Sequence, residues 1–69
     1  MTPRESTTGR PRDPVIDTAV LATALAHLAS RGYEAMSVAA VALEAGTTRQ
    51  AVYRRWPTKA ELAVAAIAS

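Results

Sequence analysis

Three residues that end helices, Gly32, Gly46 and Pro57, divide this chain into short segments. Glycine ends a helix by adopting a left-handed conformation, and proline ends one because it lacks an amide hydrogen. Between these breaks the apolar residues recur at three- and four-residue spacing, which is typical of helices that bury one face. The sequence therefore predicts an all-α chain, with helices over about 14–31, 38–45 and 48–55 and a fourth that begins near Lys59.

Most predicted helix starts have a candidate N-cap, a residue whose side-chain oxygen can accept from the backbone of the first turn. For the first, second and fourth helices these candidates are Asp13, Ser37 and Thr58. The third helix has two candidates: Thr47 has capping-box spacing to Gln50, whereas Thr48 fits the family resemblance described below. The residues alone leave both open.

The predicted core is thin and rich in alanine. Hydrophobic residues make up 49% of the 69-residue chain, and there is no phenylalanine. On the first helix two overlapping apolar rows are expected to face inward, Val20 with Ala24 and Leu28, and Leu21 with Leu25 and Leu28. We expect Tyr33, just beyond the helix, to fold back onto this apolar face and Trp56 to end the inward face of the third helix. A small domain with such a core should be only marginally stable.

The first twelve residues form a polar segment with three arginines. We expect residues 1–12 to be a disordered basic arm, and DNA contact in a minor groove and the absence of any DNA role are both open for it. The segment lacks the apolar stretch of a signal peptide, and no later apolar run is long enough to cross a bilayer. Together with the absence of cysteine, this predicts a soluble cytoplasmic protein with no membrane partner.

Cationic residues are concentrated in the predicted third helix and the turn that follows. Four of the eight lysines and arginines lie between Arg49 and Lys59, with no acidic residue among them. A helix, a glycine turn and a short cationic helix are the parts of a helix-turn-helix, whose second helix enters the major groove of DNA. Arg49, Gln50 and Tyr53 are predicted to share its outer surface. Arginine and glutamine side chains read guanine and adenine edges, and tyrosine can reach a phosphate.

These segments resemble the DNA-binding domain of the TetR family of bacterial transcriptional regulators over about residues 20–62. The resemblance rests on Arg31-Gly32-Tyr33, Ser37-Val38, Val41-Ala42 and Ala45-Gly46, and most strongly on the closing string from Val52 to Leu62, VYRRWPTKAEL. Thr47 departs from the pattern, since an aliphatic residue usually packs under the turn there. We therefore expect this turn to be less firmly held.

The resemblance implies a three-helix, homeodomain-like helix-turn-helix bundle over residues 13–69, including the start of a fourth helix. It implies a repressor that binds double-stranded DNA at a palindromic operator as a homodimer, with its C-terminal ligand and dimerisation domain absent here and this stretch monomeric alone. Base and phosphate contacts are implied for Arg49, Gln50, Ala51, Tyr53 and Arg55. Phosphate contacts are implied for Ser37, Thr48 and Lys59.

Other function classes have little support in the sequence. His27 is a lone histidine, expected to be a partly buried helix residue, and we expect no metal site, no cofactor and no catalysis. The main alternative is a small helical protein-interaction module without DNA binding. Its docking surface would comprise Leu21, Leu25, Leu62 and Ile67. Such a module has no need of the cationic cluster, so the sequence favours DNA binding.

Overall fold

The computed structural model describes residues 14–69, and over this range it contains four α-helices and no strand. The helices are α1 Pro14–Arg31, α2 Val38–Ala45, α3 Arg49–Arg55 and α4 Lys59–Ala68. The all-α prediction is confirmed, and the predicted helix limits agree closely. The proposed arm over residues 1–12 and the proposed N-cap Asp13 lie outside the described residues.

The core lies where α1 contacts α2 and α4, with α3 packed against α2. Its buried members are small or medium in size, and only Met36 and Leu62 exceed valine in length. The set is Val20, Ala24, Met36, Val38, Val41, Ala42, Val52, Leu62, Ala63 and Ala66. Small alanine side chains between the helices take the place of the large aromatic side chains of an ordinary core, as the composition predicts.

Two predicted core residues are exposed. Leu25 is 43% exposed, because it lies about 100° around α1 from the buried Ala24 and so leaves the inward face. Tyr33 is 41% exposed, and its ring lies beneath the Lys59 ammonium, with Nζ 4.6 Å from the ring centroid. The expectation that Tyr33 folds back onto the apolar face was therefore wrong, since the ring packs against the Lys59 ammonium instead.

The turn between α2 and α3 is closed by backbone hydrogen bonds around Gly46. The Gly46 amide donates to the Leu43 carbonyl at 3.2 Å, and the Thr47 amide donates to the Ala42 carbonyl at 2.9 Å. This pair is the Schellman arrangement, which requires a left-handed residue after the helix. Gly46 supplies it with φ of 83°.

Replacing Gly46 with alanine is expected to lower the free energy of unfolding by about 1–2 kcal/mol. No heavy atom lies within 4 Å of a Cβ built at this position, so the cost comes from the backbone conformation alone. Urea denaturation followed by far-UV circular dichroism measures it. Gly46→Asn is the matched variant and should lose less, because asparagine tolerates the left-handed region. Equal stability of the alanine variant and the wild type would contradict the left-handed turn.

Candidate nucleic-acid interface

The short helix α3 is anchored on one side and capped at both ends. Val52 is buried in the core, and the Trp56 amide donates to the Val52 carbonyl at 2.8 Å. At the start of α3, Thr48 Oγ1 accepts from the Ala51 amide at 3.0 Å. Thr48 is therefore the N-cap that the sequence left open between two threonines. At the other end, Pro57 comes directly after the C-cap Trp56 and ends the helix at Arg55, as predicted.

The outer face of α3 carries three of the predicted site residues. Arg49, Gln50 and Tyr53 are exposed, and none of their side chains has a hydrogen bond or ion pair with another residue of the described range. Arg49 and Tyr53 are four residues apart and so lie about 40° apart around the helix, with Gln50 beside them. Ala51 is half-buried at the edge of this face. We call Arg49, Gln50, Tyr53 and Arg54 the outer face of α3.

Arg54 also belongs to this outer face. It lies one turn after Gln50, is exposed, and has no side-chain partner in the part of the chain that the structure describes. The helical spacing that places Gln50 outward also places Arg54 outward.

Arg55 lies on a different side of α3, facing α1. Its Nε donates to Asp17 Oδ2 at 3.2 Å, and its guanidinium carbon lies 5.2 Å from the centroid of the Trp56 ring. Trp56 is half-buried against the core, as predicted. Arg55 is thus separated from the outer face and tied to the first turn of α1, a contact that no sequence pattern signalled.

Two hydroxyl groups at helix starts hold backbone amides and keep a proton to donate. Ser37 Oγ accepts from the Ala40 amide at 3.2 Å, and Thr48 makes the equivalent bond in α3. A hydroxyl that accepts from an amide still has its own O–H available for an anion. Both residues are exposed, so the caps leave these hydroxyls accessible.

Lys59 fastens the start of α4 to the loop between α1 and α2. Its Nζ donates to the carbonyl oxygens of Met36 at 3.1 Å and Glu34 at 3.3 Å, over the Tyr33 ring. A cation at a helix start is unfavourable beside the helix dipole. The family resemblance implies a phosphate as the partner of Lys59. The two carbonyls and the ring offset the unfavourable dipole within the chain. The two carbonyls accept from two of the three N–H groups of the ammonium.

His27 is buried, at 4% exposure, deeper than the partly buried position expected. Its Nε2 lies 3.1 Å from both carboxylate oxygens of Glu44, and its Nδ1 lies 2.8 Å from Arg31 Nη1. Glu44 therefore links α2 to α1. Within residues 14–69 no group of three or more histidine or acidic side chains is arranged to hold a metal ion.

A model of one known family matches residues 20–66, which include α2, α3, most of α1 and α4, and every predicted site residue. The family is described as bacterial regulatory proteins, tetR family. The chain belongs to the TetR family. The helices of this TetR domain form the helix-turn-helix of a family of DNA-binding transcription regulators, as the resemblance implied.

Curated relatives of this TetR domain carry helix-turn-helix names. The chain is 46% identical over 61 residues to an uncharacterized HTH-type transcriptional regulator of Mycobacterium bovis and to two of Mycobacterium tuberculosis. The match covers 83% of this chain but only 30% of each relative. No solved structure gave a significant match. In the part of this TetR domain that the structure describes, no helix is long and apolar enough to cross a membrane.

Proposed function

We propose that this chain binds double-stranded DNA in a sequence-specific manner, with α3 lying in the major groove. The observation that carries the proposal is the outer face of α3, where exposed arginine, glutamine and tyrosine side chains have no partner of their own. Side chains already engaged within a protein must break contacts to bind DNA, and these need not. A two-turn helix anchored by Val52 presents them on a rigid element.

Base reading in this proposal belongs to Arg49 and Gln50. The guanidinium of Arg49 would fork onto guanine O6 and N7, and the amide of Gln50 onto adenine N6 and N7. Both lie in the first turn of α3, the part of a recognition helix that approaches base edges most closely. Ala51, small and half-buried, would allow close approach and could meet a thymine methyl group.

Phosphate binding in this proposal involves residues around the outer face. Tyr53 and Arg54 are exposed on α3, and the capping hydroxyls of Ser37 and Thr48 have protons to donate. Lys59 would contribute its remaining N–H without leaving the loop that it fastens. Arg55 would meet a phosphate at the edge of the groove, because it lies on the flank of α3 rather than on the outer face.

Repression, a palindromic operator and dimerisation belong to the same proposal and are supported by family membership alone. Members of this family usually repress transcription as dimers. The 61-residue match covers 30% of the length of the curated relatives, so dimer contacts would lie in regions that this chain does not match. A single domain contacts one half-site, and its affinity alone should be modest.

The test is selection from a pool of randomised duplexes with the 69-residue chain at micromolar concentration. We expect enrichment of one short half-site, and a decrease in binding with a log–log salt slope of about −3 if Arg54, Arg55 and Lys59 each neutralise one phosphate. Salt-sensitive binding without any enriched sequence would contradict specific recognition by α3. An absence of binding at 50 mM salt, with the helical circular dichroism spectrum intact, would favour the protein-interaction alternative. One of the four residues that would form the docking surface in that alternative, Leu62, is fully buried and is therefore not accessible to a partner.

A further inference from the structure

The contact between Asp17 and Arg55 joins the first turn of α1 to the last turn of α3, 38 residues later in the chain. Asp17 keeps 18% of its side chain exposed and Arg55 keeps 37%, so the pair lies at the surface rather than in the core. Exposed ion pairs add little to stability, commonly less than a hydrogen bond in the interior. A stabilising role alone therefore gives a weak reason for this arrangement.

The arrangement restrains Arg55 while leaving most of its donors unused. The carboxylate takes Nε, and the Trp56 ring supports the guanidinium plane from one side at 5.2 Å. Arginine has five N–H groups, and the four on Nη1 and Nη2 have no partner among residues 14–69. These four form the edge that binds a phosphate through two parallel hydrogen bonds. The free edge of Arg55 is thus held in place before any ligand arrives.

The position of Arg55 also suits a phosphate rather than a base. It lies on the side of α3 that faces α1, about 100° around the helix from Arg54, the nearest residue of the outer face. A helix lying in the major groove, which is about 12 Å wide, has a phosphate backbone along each flank. An arginine on the flank therefore meets the backbone and fixes how the helix sits, while the outer face meets the bases.

We propose that Asp17 is a positioning residue for DNA binding, acting by orienting Arg55 toward a backbone phosphate at the edge of the site. The inference rests on the proposed function and assigns a role in it to α1, which contributes no other predicted contact. It also runs against simple electrostatics. A carboxylate beside a polyanion should weaken binding, and here its orienting effect on Arg55 outweighs that repulsion.

The test compares Asp17→Asn with wild type by fluorescence anisotropy on the selected half-site duplex and on an unrelated duplex of equal length. We expect Asp17→Asn to bind both duplexes about fivefold more weakly, although it removes a negative charge, because a charge-assisted contact is lost. Glu34→Gln is the matched control, since it removes one exposed carboxylate that holds no side chain. That control should bind as tightly as wild type or more tightly.

The double variant separates orientation of Arg55 from a general effect on the fold. In the Arg55→Ala background, Asp17→Asn should cause no further loss. Equal losses in both backgrounds would overturn the proposal, as would tighter binding by the single Asp17→Asn variant. If wild type itself fails to bind either duplex, the proposed function fails. If wild type binds and Asp17→Asn binds no more weakly, only the role of Asp17 fails.

Discussion

Replacing Leu62 with alanine should unfold a large fraction of the domain at room temperature. Leu62 is fully buried and is the largest of the fully buried side chains, in a core whose other members are mostly alanine and valine. Loss of a buried leucine costs about 2–5 kcal/mol, since small neighbours cannot collapse to fill the cavity. At the stability per residue of ordinary proteins, the 56 residues that the structure describes have a total free energy of unfolding of about 3–8 kcal/mol.

Urea denaturation followed by circular dichroism measures this loss, with Val64→Ala as the matched control. Val64 lies two residues later on the same helix and is 67% exposed, so its truncation should change the free energy of unfolding by less than about 0.5 kcal/mol. Similar losses in the two variants would mean that α4 does not pack through Leu62, and that the core is not the one described.

Replacing Arg49 with alanine should relax the preference for one base pair of the half-site, by about 1–3 kcal/mol. The reason is that its exposed guanidinium, at the start of α3, is proposed to fork onto a guanine edge. Competition between the selected half-site and its single-base variants, measured by anisotropy, reports this preference directly. Binding to unrelated DNA should fall much less, because a base contact adds nothing on the wrong sequence.

Arg54→Ala is the matched control, since it removes the same side chain from the same helix with the same change in charge. It should weaken binding to all sequences alike and lower the salt slope by about one, as expected for loss of a phosphate contact. If Arg49→Ala weakened the half-site and unrelated DNA equally, the two arginines would have the same role. The proposed division between base reading and phosphate binding would then be wrong.

The helices could be predicted because their limits depend on nearby residues. Ser37 caps α2, Gly46 ends it, and Pro57 ends α3, each through a bond or a conformation within a few positions. The nearby residues could not decide whether Thr47 or Thr48 is the N-cap of α3. Both hydroxyls are spaced to cap a helix, and the start of α3 is decided by how the turn around Gly46 closes.

The polar contacts between helices could not be predicted, because they depend on packing between distant segments. The pair of Asp17 with Arg55, the bond of His27 with Glu44 and the two carbonyls held by Lys59 join residues 38, 17 and up to 25 positions apart. Sequence patterns describe the face on which a residue lies, but not which side chain meets it there. The outer face of α3 could be predicted because it depends only on the positions of its residues around the helix.

The contact of Asp17 with Arg55 also decides where a probe can be attached. It brings the first turn of α1 beside the last turn of α3. A fluorophore coupled to this turn of α1 should therefore change its emission when DNA binds, because it would lie beside the side of α3 on which Arg55 is proposed to meet a phosphate.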